Sequence, residues 1–171
     1  MLTKTICISL LFLGFISTPV GAQSLSQNKA LVRQFIEIGN SRQMDRLAEV
    51  VADNFVRHCQ ATPDLNINTR DEFRAFMVAD AKTFPDSKVT IQQLIAENDR
   101  VAIWATYSGT QDGPMGPFPP GGKTMSVDLA GVFRVQDGLI AELWVTWDNV
   151  AGLTQLGFFP PAKSDGDGTT E

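Results

Sequence analysis

Ile140-Ala141-Glu142-Leu143-Trp144-Val145-Thr146-Trp147-Asp148-Asn149 is the stretch that decides how this chain folds. Aromatic and β-branched residues alternate with polar ones, which predicts a strand over Leu139 to Trp147. Asp148 is a natural helix N-cap, and the short helix it opens stops at Gly157. Just upstream, Asp137-Gly138 is a strong hairpin signal, so Thr124 to Gln136 is the partner strand. A three-residue loop with glycine in the left-handed position is the expected connection. It places the odd residues of both strands on one side: Val127, Leu129, Gly131 and Phe133 with Leu143, Val145 and Trp147. That side is almost wholly apolar. The even side carries Ser126, Asp128, Arg134, Glu142, Trp144 and Thr146, a mixed set that faces water or a second subunit. Trp144 and Val132 on that side favour a homodimer interface.

Helical patterns precede the strands. Leu31, Val32, Phe35 and Ile36 form an amphipathic stripe between Ser26 and Gly39, and Met44, Leu47, Val50 and Val51 repeat it in a second helix. Asn54 to Cys59 reads as a short strand. Thr69-Arg70-Asp71-Glu72 is a capping box opening a third helix. Its apolar face is Phe73, Phe76, Met77 and Phe84, and Pro85 closes it. From Lys88 the period becomes two, giving strands over Val89 to Glu97 and Val101 to Gly109 joined at Asn98-Asp99. Helices followed by a run of antiparallel strands mean an α+β domain.

The ends read differently. Residues 1–22 carry Lys4, an apolar run from Ile6 to Ile16 and the small residues Val20-Gly21-Ala22, the pattern of a signal peptide cut before Gln23. The competing reading is an N-terminal membrane anchor, but the run is short for a bilayer. The expected mature protein is exported, periplasmic or secreted, with one domain over 23–159 and a disordered tail over 160–171 rich in Pro, Gly, Asp, Ser and Thr. Losing Lys4 leaves 13 basic against 19 acidic residues. No basic run exists, so nucleic acid is not an expected partner, and no second apolar run suggests membrane contact after cleavage. Cys59 is the single cysteine of the mature chain and His58 its single histidine, so neither a disulfide nor a zinc site is expected.

The residues resemble a known family. The matching segments are Asn28-Lys29-Ala30-Leu31-Val32-Arg33, Asp53-Asn54-Phe55-Val56-Arg57-His58 and Phe84-Pro85-Asp86. They continue with Leu94 to Ala102, Phe133-Arg134-Val135-Gln136-Asp137-Gly138, Trp147-Asp148 and Gln155-Leu156-Gly157. Their order and spacing are similar to the SnoaL-like polyketide cyclases, also called ester cyclases, of the nuclear transport factor 2-like superfamily. The resemblance implies a cone: a curved antiparallel sheet covered by N-terminal helices, with a short C-terminal helix. It also implies a pocket for a small molecule and no cofactor. Cyclases of this family use an acid on the last strand and a histidine on its neighbour to remove a proton from a carbon flanked by carbonyls. Those positions are Val145 and Gly131 here, and neither moves a proton. A third family position, a histidine after Gly-Thr, is Gln111.

Within that frame His58 is the candidate acid/base, being the side chain that titrates near neutrality. The bland alternative is a structural strand histidine. Asp148 is a weaker catalytic candidate, because an N-cap carboxylate is already occupied. Leu129, Phe133, Leu143, Val145 and Trp147 are the expected cavity wall, with Tyr107 or Gln111 as an orienting donor. Trp104 and Tyr107 lie on opposite faces of one strand, and the pattern leaves open which points inward. Gly113-Pro114-Met115-Gly116-Pro117-Phe118-Pro119-Pro120-Gly121-Gly122 has eight Gly or Pro among its ten residues. It is either a lid folding Met115 and Phe118 over the entrance or a plain long connection. The expected ligand is a small apolar molecule bearing a carbonyl or an aromatic ring. The expected chemistry is proton transfer at carbon, cyclisation or ester hydrolysis; a non-catalytic binding or dimeric interaction domain is the alternative.

Overall fold

The computed structural model describes residues 24–159; the expected signal peptide and C-terminal tail lie outside them. The order is α1 (Leu25–Asn40), a 3₁₀ turn (Met44–Glu49), β1 (Val51–Cys59), α2 (Arg70–Thr83), β2 (Lys88–Glu97), β3 (Arg100–Thr110), β4 (Thr124–Gln136), β5 (Leu139–Trp147) and α3 (Asn149–Leu156). The five strands form one sheet in the order β1-β5-β4-β3-β2. All neighbours are antiparallel except β1, which joins β5 in parallel at one edge. Register shifts interrupt three of the four pairings. Such bulges bend a strand and sharpen its twist, which is how the sheet curves. α1 and α2 pack inside the curve.

Local chemistry explains the helix ends. Ser24 accepts from the Gln27 backbone N–H while the Gln27 side chain accepts from the Ser24 N–H. Thr69 and Glu72 make the same reciprocal pair at α2. Each box satisfies amides that the first turn leaves orphaned. Asp148 accepts from Ala151 N–H at α3, and Gly157 ends it at φ 81°, a left-handed conformation that favours glycine.

Two expectations need correcting. The predicted second helix is a six-residue 3₁₀ turn, and Val51 already belongs to β1. Met44, Leu47 and Val50 recur every third residue, which is the 3₁₀ period, and the Val50-Val51 pair favours an extended chain. The β4–β5 connection is a two-residue turn with positive φ at both Asp137 (52°) and Gly138 (80°), not a three-residue loop. The extra residue instead sits one step on. Val135 pairs with Ile140 but Arg134 pairs with Glu142, so Ala141 bulges out. One bulged residue restores the odd-with-odd register: Phe133 opposite Leu143, Gly131 opposite Val145, Leu129 opposite Trp147.

The core fills the end of the cone nearest this hairpin. Phe35 packs face-on to Phe73 (centroids 5.7 Å apart) and edge-on to Phe133 (5.3 Å). Phe55 lies 4.9 Å from Phe73. Phe55 and Val101 are fully buried, with Phe133 and Ile38 nearly so. Arg42 ties the end of α1 to the α2–β2 turn, donating to the carbonyls of Gly39, Phe84, Pro85 and Ser87. Phe55→Ala should cost about 3–5 kcal/mol of unfolding free energy. Urea denaturation measures it, and a loss below about 1 kcal/mol would place Phe55 outside the core cluster.

Candidate functional site

The wide end of the cone is not filled. A cavity of about 640 Å³ opens between the inner sheet face, α2, α3 and residues 114–116, within the size range of small-molecule sites. Tyr107, Leu129, Phe133, Leu143, Val145 and Trp147 all lie in its wall. Tyr107 pairs with Val127 on the inward side, while Trp104 is 44% exposed on the outer face, which resolves their orientation.

Three sequence candidates sit elsewhere. His58 pairs with Trp144 on the outer face, stacks on its indole at 4.8 Å and meets Glu142 Oε2 at 3.2 Å. In β1 it is Phe55 and Arg57 that turn inward, so His58, one residue on, must turn out. The Arg134 guanidinium, followed by His58, holds the Glu142 carboxyl below its usual range. Gln111 is fully buried outside the cavity wall. Its amide donates to the carbonyls of Gly113 and Pro119 and accepts from Gly121 N–H, so it pins the glycine-proline loop. Asp148 is exposed, and its carboxylate is engaged in capping. The loop itself divides: Met115 lines the cavity, whereas Phe118 stacks on Phe158 at 4.4 Å. Thr83 fastens the loop to α2 through the Pro114 carbonyl.

The polar groups that do face the cavity were not singled out in the sequence, apart from Tyr107. Asp80, on α2, accepts from the Tyr107 hydroxyl at 3.1 and 3.2 Å. Burial pushes the Asp80 carboxyl above its ordinary value, against the opposing pull of the Tyr107 hydrogen bond and of Arg42 and Arg57. Burial, then the charge of Asp80, pushes the Tyr107 phenol far above its usual range, so it stays a donor. Arg57 is 7% exposed. It lies against the rings of Phe76 (4.8 Å) and Trp147 (5.8 Å) and donates to Thr62 Oγ1 at 3.2 Å. Desolvation lowers its pKa, with Cys59 and Asp80 acting the other way. Asp80 was legible as an acid inside the stripe Phe73, Phe76, Met77 and Phe84. Arg57 was legible as the neighbour of His58 that shares the parity of Phe55. Among the described residues no cluster of His, Cys, Asp and Glu could hold a metal ion.

Comparison with known proteins fits this geometry. A family model described as SnoaL-like polyketide cyclase matches residues 29–156. The chain belongs to the SnoaL-like polyketide cyclase family. Solved structures with the same fold include AclR from Streptomyces galilaeus at 25% identity, covering 81% of this chain and 85% of that one, TM-score 0.71. TsrD from Streptomyces laurentii is 26% identical over 80% and 98% of the two chains, TM-score 0.71. IdmH from Streptomyces antibioticus, described as a candidate polyketide cyclase, is 28% identical over 77% and 99%, TM-score 0.67. A search of curated proteins gives no match. In this SnoaL-like chain the two positions that the family resemblance assigns to acid and histidine, Val145 and Gly131, are cross-strand partners in the cavity wall. Its titratable cavity carboxyl comes from α2 instead.

A raised carboxyl pKa fixes the sign of a stability effect. Below the ordinary aspartate value of 3.8, Asp80 is neutral in both states and costs nothing. As pH rises past that value the unfolded chain ionises freely while the folded one resists, so stability is lost until the folded-state pKa is passed. Asp80→Asn has no such titration and keeps an acceptor for Tyr107. The variant should therefore gain stability relative to wild type as pH rises from 4 to 7, read by urea midpoints; a gap independent of pH would contradict the raised pKa.

Proposed function

We propose that this SnoaL-like chain binds a small, largely apolar molecule bearing a carbonyl group or aromatic ring in the wide end of the cone, and moves a proton on it. The observation carrying this is one apolar cavity with a hydrogen-bonded carboxyl, Asp80–Tyr107, inside it. A carboxylate whose pKa is raised by burial is a better proton acceptor than an exposed one. Asp80 would take the proton from a carbon beside the carbonyl, and Tyr107, whose phenol stays protonated, would hold the carboxylate in place. A substrate that delocalises its own enolate asks for little more, which is why a relative such as the candidate cyclase IdmH supports this class of reaction. A second reading, binding without turnover, is favoured by the apolar Val145 and Gly131. Asp80→Asn separates them: it abolishes turnover under the first and leaves binding intact under both.

Export and a homodimer through the outer sheet face belong to the same proposal. The signal-like residues 1–22 support the first, and Trp104, exposed on the same outer face that carries Trp144, supports the second.

Binding is tested with a neutral probe, 2-acetonaphthone. At a concentration 100-fold above its Kd it should stabilise the wild type by about 2.7 kcal/mol. Leu129→Trp, which fills the cavity from β4, should lose that thermal shift. A shift retained in Leu129→Trp would move the site out of the cone.

A further inference from the structure

We infer that the ligand of this cavity is a monoanion, a flat apolar body ending in one carboxylate, and that Arg57 is its counter-charge; this rests on the small-molecule reading above. Among the described residues Arg57 is the buried arginine. The other guanidiniums drawn into the fold have partners: Arg42 among four carbonyls, Arg70 with Asp53, Arg134 with Glu142. Among the described residues Arg57 forms no ion pair; of its five side-chain N–H donors one reaches an oxygen, that of Thr62, and the Cys59 side chain is its other polar neighbour. The rings of Phe76 and Trp147 cover it but accept no conventional hydrogen bond. Asn28 Oδ1 is the one side-chain polar atom among the described residues that is sealed without a partner. The unpaired nitrogens of Arg57 therefore face open space, and the residue lines the cavity.

A buried charge is tolerated when it is paired. Here Asp80 acts on Arg57 only through space and no described carboxylate touches it, so the contact partner is expected to arrive with the ligand. The wall as a whole agrees. It carries Arg42, Arg57 and Lys88 against one acid, Asp80, in a chain whose net charge is −5. Arg42 is committed to carbonyls and Lys88 is exposed at the rim, which leaves Arg57 to meet the anion. A carboxylate accepts two parallel N–H bonds from a guanidinium. The rings of Phe76 and Trp147 then flank an aromatic or extended apolar body. A dianion is a poor match, because a single free guanidinium faces it and Asp80 lies in the same wall.

The test uses matched probes, 2-naphthoate and its methyl ester, titrated calorimetrically at pH 7 into wild type and Arg57→Met. Methionine keeps the apolar stem without the charge. The acid should bind wild type about 10- to 100-fold more tightly than the ester, the range for hydrogen bonds to a charged group. Arg57→Met should lose that preference while binding the ester as wild type does. Equal affinity for acid and ester in wild type overturns the monoanion and leaves the pocket reading standing. Binding of neither probe overturns both. The wild-type comparison stands even if Arg57→Met fails to fold.

Discussion

The bulge at Ala141 is the constraint on which the rest depends. A strand shows its side chains to alternate faces, so a slip of β5 by one residue against β4 would send Leu143, Val145 and Trp147 into solvent and bring Glu142, Trp144 and Thr146 inside. The tight Asp137-Gly138 turn alone would set the wrong parity for the rest of the hairpin. One extra residue, spent where Arg134 meets Glu142, corrects it. The same register stacks Gly131 on Val145 and leaves room in the cone, because glycine adds no side chain at the cavity floor. A Cβ there would come within 3.3 Å of Ile103 and 3.6 Å of Leu143.

From this register follows a division of labour along the cone. Near the turn, Phe133 closes on Phe35 and the interior is solid. Farther along, Leu129 and Trp147 face α2 across open space, and α2 contributes the two features that make the space chemical. Its apolar stripe supplies Phe76, and its interruption supplies Asp80. β1, arriving in parallel at the edge, adds Arg57. The outer face receives what the inner face excludes: His58, Glu142, Arg134 and Arg100, gathered around Trp144. A shallow outer depression of about 480 Å³ between Trp104 and Asp148 is lined by acids without a cation, and lacks the converging donors of the cone.

Local signals were legible in the sequence and distant ones were not. The strand bounds of β4 and β5, the Thr69–Glu72 box, the Asp148 cap and the Gly157 stop are each written within a few residues, and the cavity wall follows from hairpin parity. The turn is tighter than its sequence suggests, yet the same odd residues share the inner face, because a bulge and a longer loop shift register by the same one residue. β1 had no such anchor. Its strand partner is distant in sequence and no turn joins them, so the parity shared with Phe55 is the one local sign that separates Arg57 from His58. An acid in a helix stripe, such as Asp80, reads as a solvated residue until its neighbours are known to enclose a hole. Gln111 occupies a family position, but the loop after it needs internal hydrogen bonds, and its amide is spent there.

The central claim is that the open end of this cone holds an apolar molecule whose charge meets Arg57. A crystal structure of the wild-type protein grown with 2-naphthoate tests it directly. The account predicts the naphthyl rings beside Phe76 and Trp147 with both carboxylate oxygens on the Arg57 guanidinium. Density for the probe on the outer face near Trp104, with the cone filled by water, would contradict it.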